Sequence, residues 1–294
     1  MTVVAAPPEI RQRTRSKARV LLEALPFIKE HVGTVIVVKV GGAAMEDPLL
    51  AETFAEDIAL LRLVGIKPVV VHGGGPQITA MSKRLGLEPA FVNGHRVTDE
   101  ATLQVARMVL VGLVNQDLVA LLVRHGTQAL GMSGHDGGLL RVRPRAPELG
   151  LVGEVEHVNV SLLDHLMDRS VPVIASVGAD AAGQSYNVNA DLVAGAVAAA
   201  CGASKLVYLS DVPGLIGSDG ELVSEASLSA CRSFLSDGIA DGGMMPKLES
   251  ALAAMEAGVK RVHLVDGRVE HALILELFTP EGFGTMLTHD LVAP

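Results

Sequence analysis

Two lysines stand where a lysine is least expected. Lys39 is the single charge in an apolar, β-branched run, residues 34–40, that reads as a strand buried on both faces. Lys247 falls in the first turn of a helix opened by the glycine-rich DGGMMPK of residues 241–247, where the helix dipole disfavours a cation. Burying an unpaired ammonium is costly, so Lys39 is expected to reach an opening at the edge of a sheet. Gly41 and Gly42 follow it, and then a helical segment. Strand, lysine, glycines and helix together read as a phosphate site at the carboxyl end of a strand. The competing reading is a snorkelling lysine before an ordinary Gly-Gly turn.

The pattern recurs. A short buried strand over residues 68–71 runs into His72-Gly73-Gly74-Gly75-Pro76 and then a helix to about Leu85. Amides of Gly74 and Gly75 at that helix start suit a second anion or a carboxylate; a flexible turn is the plain alternative. Arg96, in FVNGHRVTDE, is either a surface arginine or a bidentate carboxylate clamp. Asn187, Asn189 and Asp191, in YNVNAD, precede an alanine-rich helix and read as helix caps or as site residues.

Positioning these groups takes an alternating chain. A helix over 49–63 ends at Gly65. Thr98 or Asp99 caps a long helix running to about His125, and 128–132 is a strand ending in Ser133 to Gly138. Residues 139–142 and 151–155 resemble a hairpin able to form a flap over a site. Further strands are expected at 171–175, 205–209 and 261–265, with helices at 161–169, 190–200 and 227–235 and one opened by residues 241–247 and running to Gly258. About seven buried strands alternating with helices are the signature of an α/β protein with a parallel sheet. Ahead of the first strand, Val20, Leu21, Leu25 and Ile28 form one apolar face of a helix that Pro26 should kink or interrupt. A sheet covered on both faces has no room for that helix, so it is expected to pack on another subunit.

Composition narrows the classes. The chain has 294 residues, enough for one large α/β domain or two lobes, and its hydrophobic share of 49% is typical of such proteins. A formal net charge of −9 gives no support to nucleic-acid binding. Neither GxxxxGK[ST] nor GxGxxG occurs, and no HExxH or Cys/His cluster suggests a protein-held metal. Cys201 and Cys231 match no metal spacing; Cys201 reads as a small buried hydrophobe. The apolar run 192–203 is too short to span a bilayer, so no membrane segment is expected. Glu23 and Pro26 interrupt any secretory h-region, which points to the cytoplasm; an Arg- and Ser-rich transit peptide is the competing reading of the N-terminus.

VVKVGG, VVVHGGGP, NGHRVTD, NVNAD, YLSDVPG and GGMMPK, in this order, resemble the amino acid kinase family, from about Leu21 to the C-terminus. The likeness is greatest to members that phosphorylate N-acetyl-L-glutamate in arginine biosynthesis. It implies a three-layer α/β/α sandwich on a mainly parallel sheet, with residues 34–180 as the acyl-substrate lobe and 181–294 as the ATP lobe. By motif, Lys39 and Lys247 contact the transferring phosphoryl group and Asp191 orients them. Gly41 and Gly42 donate to the phosphates of ATP, which brings Mg²⁺. Gly74, Gly75, Arg96 and Asn187 hold the acyl substrate. Leu209, Ser210, Asp211 and Gly214 border adenine and ribose. His135 and Ala43 stand where relatives often carry Lys and Asn. The N-terminal helix, within residues 1–33, and the ending ELFTPEGFGT resemble the arginine-inhibited, hexameric branch. That implies a trimer of dimers and an L-arginine site near Glu276 and Gly282. Whether a PII-type signalling protein binds is left undecided. Rival readings are a sister kinase for aminoadipate, glutamate or aspartate, and a non-catalytic arginine-sensing module on the same fold.

Overall fold

The computed structural model describes residues 19, 22–41, 43–92, 94–217, 219–236, 243–280 and 282–290. Helix α1 (residues 22–31) leads into β1 (Val35–Val40), and α2 (Ala43–Glu46) and α3 (Pro48–Leu63) lead to β2 (Lys67–His72) and α4 (Gly75–Arg84). A small ribbon, β3 (Phe91–Val92) and β4 (His95–Arg96), precedes a long helix in three parts. These are α5 (Glu100–Arg107), a π-helical stretch (Met108–Val114) and α6 (Asn115–Arg124). Next come β5 (Ala129–Ser133), β6 (Leu140–Pro144), β7 (Val152–Val158), α7 (Val160–Met167), β8 (Val171–Ala175), β9 (Val177–Ala179) and β10 (Ser185–Val188). Then follow α8 (Ala190–Ala200), β11 (Lys205–Ser210), β12 (Glu225–Ser227), α9 (Leu228–Ser236), α10 (Met244–Glu256), β13 (Arg261–Asp266), α11 (Ala272–Phe278) and β14 (Thr285–Thr288).

Side-chain alternation along the central strands decides which layer each residue joins. Val37 of β1 and Val69 and Val71 of β2 face one core, with Leu163 of α7, Val193 and Val197 of α8, Cys231 of α9 and Leu248 of α10. Ile36, Val38 and Val70 face the other, with Phe54 and Ile58 of α3, Leu118 and Leu122 of α6, and Leu273 and Leu277 of α11. Both faces are covered by helices, which is why these strands read as unbroken apolar runs. The expected three-layer α/β/α architecture is the observed one.

The sheet has eight strands in the order β12-β14-β13-β11-β1-β2-β8-β5, parallel at every pairing except β13 with β14. The expected count of about seven, ending at 261–265, missed the short strands β14 and, at the sheet's edge, β12. The hairpin expected as a flap is present as β6–β7, but β9 and β10 close on it to make a small barrel. Pairing with β10 satisfies the edge of β7 that a free flap would leave open.

Three other expectations change. Residues 22–31 stay helical through Pro26, which forfeits only the bond to the Leu22 carbonyl. The face of α1 that packs on the core carries Ala24, Phe27 and Ile28, while Leu22, Leu25 and Val32 are exposed; Val20 and Leu21 lie outside the described residues. Cys201 is half-buried at the end of α8, and both cysteines are free. Among the described residues, the helix Glu100–Arg124 is long and apolar enough to cross a membrane, a stretch the run at 192–203 did not reveal. Here its Val105, Val109, Leu110, Val114, Leu118 and Leu122 are buried inside the fold.

Candidate functional site

Parallel strands end together, so the turns that follow them collect at one edge of the sheet. Lys39 pairs with Tyr208 and Val71, Val40 with His72, His72 with Ala175, and Ser210 with Asp266. The carboxyl edge of an open α/β sheet is where such folds bind ligands.

The YNVNAD segment divides its labour at that edge. Asn189 caps α8, its side chain accepting from the amides of Asp191 at 2.8 Å and Leu192 at 3.3 Å. That frees the Asp191 carboxylate to face the cleft. Lys39 Nζ lies 3.0 Å from its Oδ1 and Lys247 Nζ lies 3.1 Å from its Oδ2. The two ammonium groups, at opposite ends of the sequence, thus converge on one carboxylate, and all three side chains are at most 12% exposed. Burial alone pushes the Asp191 carboxyl up, but the two lysines outweigh it and hold it below the usual carboxylate range. Two positive charges against one negative leave this knot with one net positive charge.

Helix α10 is held in place by the same carboxylate's backbone. Ser250, one turn after Lys247, donates its hydroxyl to the Asp191 carbonyl at 2.6 Å and accepts from the Tyr208 hydroxyl at 2.7 Å. Lys247 also donates to the Gly243 carbonyl at 3.2 Å. Gly41 sits beside Lys39, where an added Cβ would lie 3.1 Å from Nζ, so a side chain there would crowd the ammonium. Gly42 lies outside the described residues.

The second glycine loop lies beside the first, the Gly73 amide meeting the Val40 carbonyl at 3.4 Å. Arg96 is 8% exposed rather than a surface residue. Its Nη2 donates to the Gly75 carbonyl at 2.9 Å and to Thr79 Oγ1 at 2.7 Å, and the guanidinium lies 4.7 Å above the Phe91 ring. Nη1 is buried without a protein acceptor, so this donor of the fork has no hydrogen bond within the fold. Burial lowers the Arg96 pKa from its ordinary value. Asn187 is tied in through Thr98, donating to its hydroxyl at 3.3 Å, and that hydroxyl donates to the Arg96 carbonyl at 3.0 Å. Gly74, Gly75, Arg96 and Asn187 are therefore one connected group.

Among the residues expected beside a nucleotide, Leu209 is buried in the core and Asp211 is exposed. Ser210 donates to the Val212 carbonyl at 3.2 Å and accepts the Gly267 amide at 2.7 Å through its own carbonyl. Gly214 has φ +147° and faces Thr285, where a Cβ would lie 2.5 Å from Oγ1. His135 bonds Ser185 at 2.9 Å.

Glu276 and Gly282 are elsewhere, in a cavity of about 220 Å³ also lined by Phe27, Glu30, Lys205, Arg261 and His263. Glu276 is already well partnered. It accepts from His263 Nδ1 at 2.5 Å and from the amides of Phe283 at 2.6 Å and Gly284 at 3.1 Å. Burial raises its carboxyl, and these donors bring it below the ordinary value.

Sequence reasoning missed Thr79, Thr98, Tyr208 and Ser250. Ser250 carried a readable signal, since it shares a helix face with Lys247 at a spacing of three. The threonines carried none, because their role depends on contacts distant in sequence.

Residues 34–266 match the model of the amino acid kinase family. The chain belongs to that family. It is 47% identical over 283 residues to the acetylglutamate kinase of Nostoc punctiforme, covering 95% of each chain. It is 48% identical over 285 residues to that of Acidiphilium cryptum, covering 92% of this chain and 95% of the relative. In three dimensions it is similar to the N-acetylglutamate synthase of Neisseria gonorrhoeae complexed with coenzyme A and N-acetyl-glutamate. The TM-score is 0.84 at 28% identity, over 94% of this chain and 64% of the longer synthase. The carbamate kinase of Giardia lamblia bound to AMP-PNP, at a TM-score of 0.65 and 16% identity, shares the fold of this family member.

Proposed function

We propose that this protein transfers the γ-phosphoryl group of ATP to the side-chain carboxylate of N-acetyl-L-glutamate, giving N-acetyl-L-glutamyl 5-phosphate and ADP in arginine biosynthesis. The observation that carries the reading is the convergence of Lys39 and Lys247 on the buried Asp191. Acetylglutamate kinases 43–48% identical over nearly the full chain support it.

The chemistry accounts for the residue types. A carboxylate is ionised at neutral pH, so its attack needs no general base. A carboxylate oxygen bonds to the γ-phosphorus while the bond to the β–γ bridging oxygen breaks and ADP leaves. The obstacle is bringing an anion to a polyanion, and the remedy is preorganised positive charge on the transferring oxygens. Lys39 and Lys247 supply it, and Asp191 keeps both aimed at one small volume. The donor set fits a triphosphate: two nearly buried ammonium groups beside Gly41, whose missing side chain leaves their approach open. Mg²⁺ would travel on the nucleotide's own oxygens, adding charge neutralisation there. Residues 34–180 furnish the acyl-substrate half, with Arg96 on the α-carboxylate, and residues 181–294 the nucleotide half.

ADP release measured with N-acetyl-L-glutamate, glutamate, aspartate, aminoadipate and no acceptor tests the reading. Release dependent on N-acetyl-L-glutamate is expected. A preference for another acceptor, or none for any, overturns it in favour of a sister kinase or a non-catalytic module.

L-Arginine is the proposed inhibitor, taken by the cavity around Glu276 and Gly282. Glu276 and Glu30 face its cationic groups, and Lys205 and Arg261 its carboxylate. Assembly through α1 is supported by the exposed apolar side chains of Leu22 and Leu25, and of Val32 just after the helix, with a trimer of dimers as the proposed form.

A further inference from the structure

The long helix is broken by a π-helical stretch at the place where it meets the second glycine loop. π-Bulges often sit at functional sites, and this one presses on Gly74. A Cβ added there would lie 2.8 Å from Leu110 Cδ2 and 3.3 Å from Val114 Cγ2. The next residue, Asn115, is 1% exposed and reaches His72, which is fully buried.

The hydrogen-bond chain between them admits one proton arrangement. The carbonyl of Val173 only accepts, so the Asn115 atom 2.9 Å from it is the amide nitrogen Nδ2. The same Nδ2 lies 2.9 Å from His72 Nε2 and donates its second hydrogen there. Nε2 is therefore the acceptor nitrogen of the ring. The ring proton sits on Nδ1, which donates to the Gly73 carbonyl at 3.0 Å. No cis peptide is present among the described residues, and in a trans peptide the carbonyl and the following N–H point in opposite directions. Holding the Gly73 carbonyl against His72 thus turns the Gly74 N–H away from the ring.

We propose that His72 and Asn115 are positioning residues for the acyl substrate: Asn115 fixes the imidazole and its tautomer, and His72 fixes the Gly73–Gly74 peptide so that its amide is presented to the substrate. The inference rests on the reading of that loop as the acyl-substrate cradle. Burial also lowers the His72 pKa to about 4, so the ring is neutral at neutral pH and holds a single proton.

Two measurements on the full-length protein test this. In ¹⁵N-histidine-labelled wild type, the ring signal that disappears in His72→Asn is expected to show a protonated Nδ1 and a bare Nε2; a protonated Nε2 overturns the proposal without any appeal to activity. In steady-state assays, Asn115→Leu and His72→Leu are expected to raise KM for N-acetyl-L-glutamate by about tenfold or more, the scale on which small misplacements are felt, with KM for ATP unchanged. His72→Asn, whose Nδ2 replaces Nδ1 as the donor to Gly73, is expected to recover most of that loss. An equal rise in both KM values, or a lowered Tm with both unchanged, marks a purely structural role and overturns the proposal. Wild type that releases no ADP with N-acetyl-L-glutamate refutes the functional reading instead, while the tautomer result stands by itself.

Discussion

Gly195 of α8 lies so close to Ser250 of α10 that a Cβ on the glycine would stand 2.2 Å from the Ser250 hydroxyl oxygen and 3.0 Å from its carbonyl oxygen. These are the helices that carry Asp191 and Lys247, and their separation sets the reach of the second lysine. Ser250 cannot swing aside without abandoning the Asp191 carbonyl and the Tyr208 hydroxyl. Gly195→Ala is expected to lower stability by about 1–3 kcal/mol through overpacking and to reduce kcat by moving Lys247. Thermal unfolding and steady-state turnover check it; unchanged values for both contradict the close packing.

Arg96 gives one arm of its fork to Gly75 and Thr79, and the other arm is buried without a protein partner. A lysine there offers a point charge without the planar geometry. Arg96→Lys should raise KM for N-acetyl-L-glutamate by about tenfold, the equivalent of one charged hydrogen bond worth roughly 1.5 kcal/mol, with KM for ATP little changed. A rise confined to ATP would place Arg96 on the wrong substrate.

His72 makes stability depend on pH in a stated direction. Its pKa is lowered by burial from 6.5 to about 4. Between those values the unfolded chain binds a proton that the folded chain does not, so stability rises with pH and is lost as pH falls through the window. The loss attributable to this group is about 3 kcal/mol. Denaturant unfolding at pH 7 and pH 4 should show a smaller acid loss in His72→Asn than in wild type. Equal losses in the two proteins would mean that His72 is not the group responsible.

The cavity around Glu276 predicts an effector response. L-Arginine is expected to inhibit ADP release, and Glu276→Gln to weaken that inhibition more than it changes uninhibited kcat. Deletion of residues 1–30 is expected to reduce the assembled mass in solution and blunt the arginine response. Unchanged mass and response after the deletion would remove α1 from both roles.

Much of this arrangement was legible because charge in an apolar strand is conspicuous. VIVVKV announces a strand with one cation, and the core partners of β1 bear out the two-faced burial. Lys247 was legible because it opposes a helix dipole. The π-helical stretch was not, since MVLVGLV is apolar around its whole circumference and hides any change of period. Strands β12 and β14 were missed because three or four residues give no measurable alternation. The tight contact at Gly195 was hidden too, as a glycine among alanines reads only as weak helix propensity. Arg96 could be read either way, and its contact with the Phe91 ring became visible only once the β3–β4 ribbon was placed.

The most direct test of the account is turnover at saturating ATP and N-acetyl-L-glutamate in Lys39→Ala, Lys247→Ala and the double variant. If the two ammonium groups act as one unit on the transferring phosphoryl group, each single substitution lowers kcat by on the order of 10²-fold or more, and the double variant falls well short of the product of the two losses. Near-normal kcat in both single variants would contradict the claim that this pair, held on Asp191, carries the reaction.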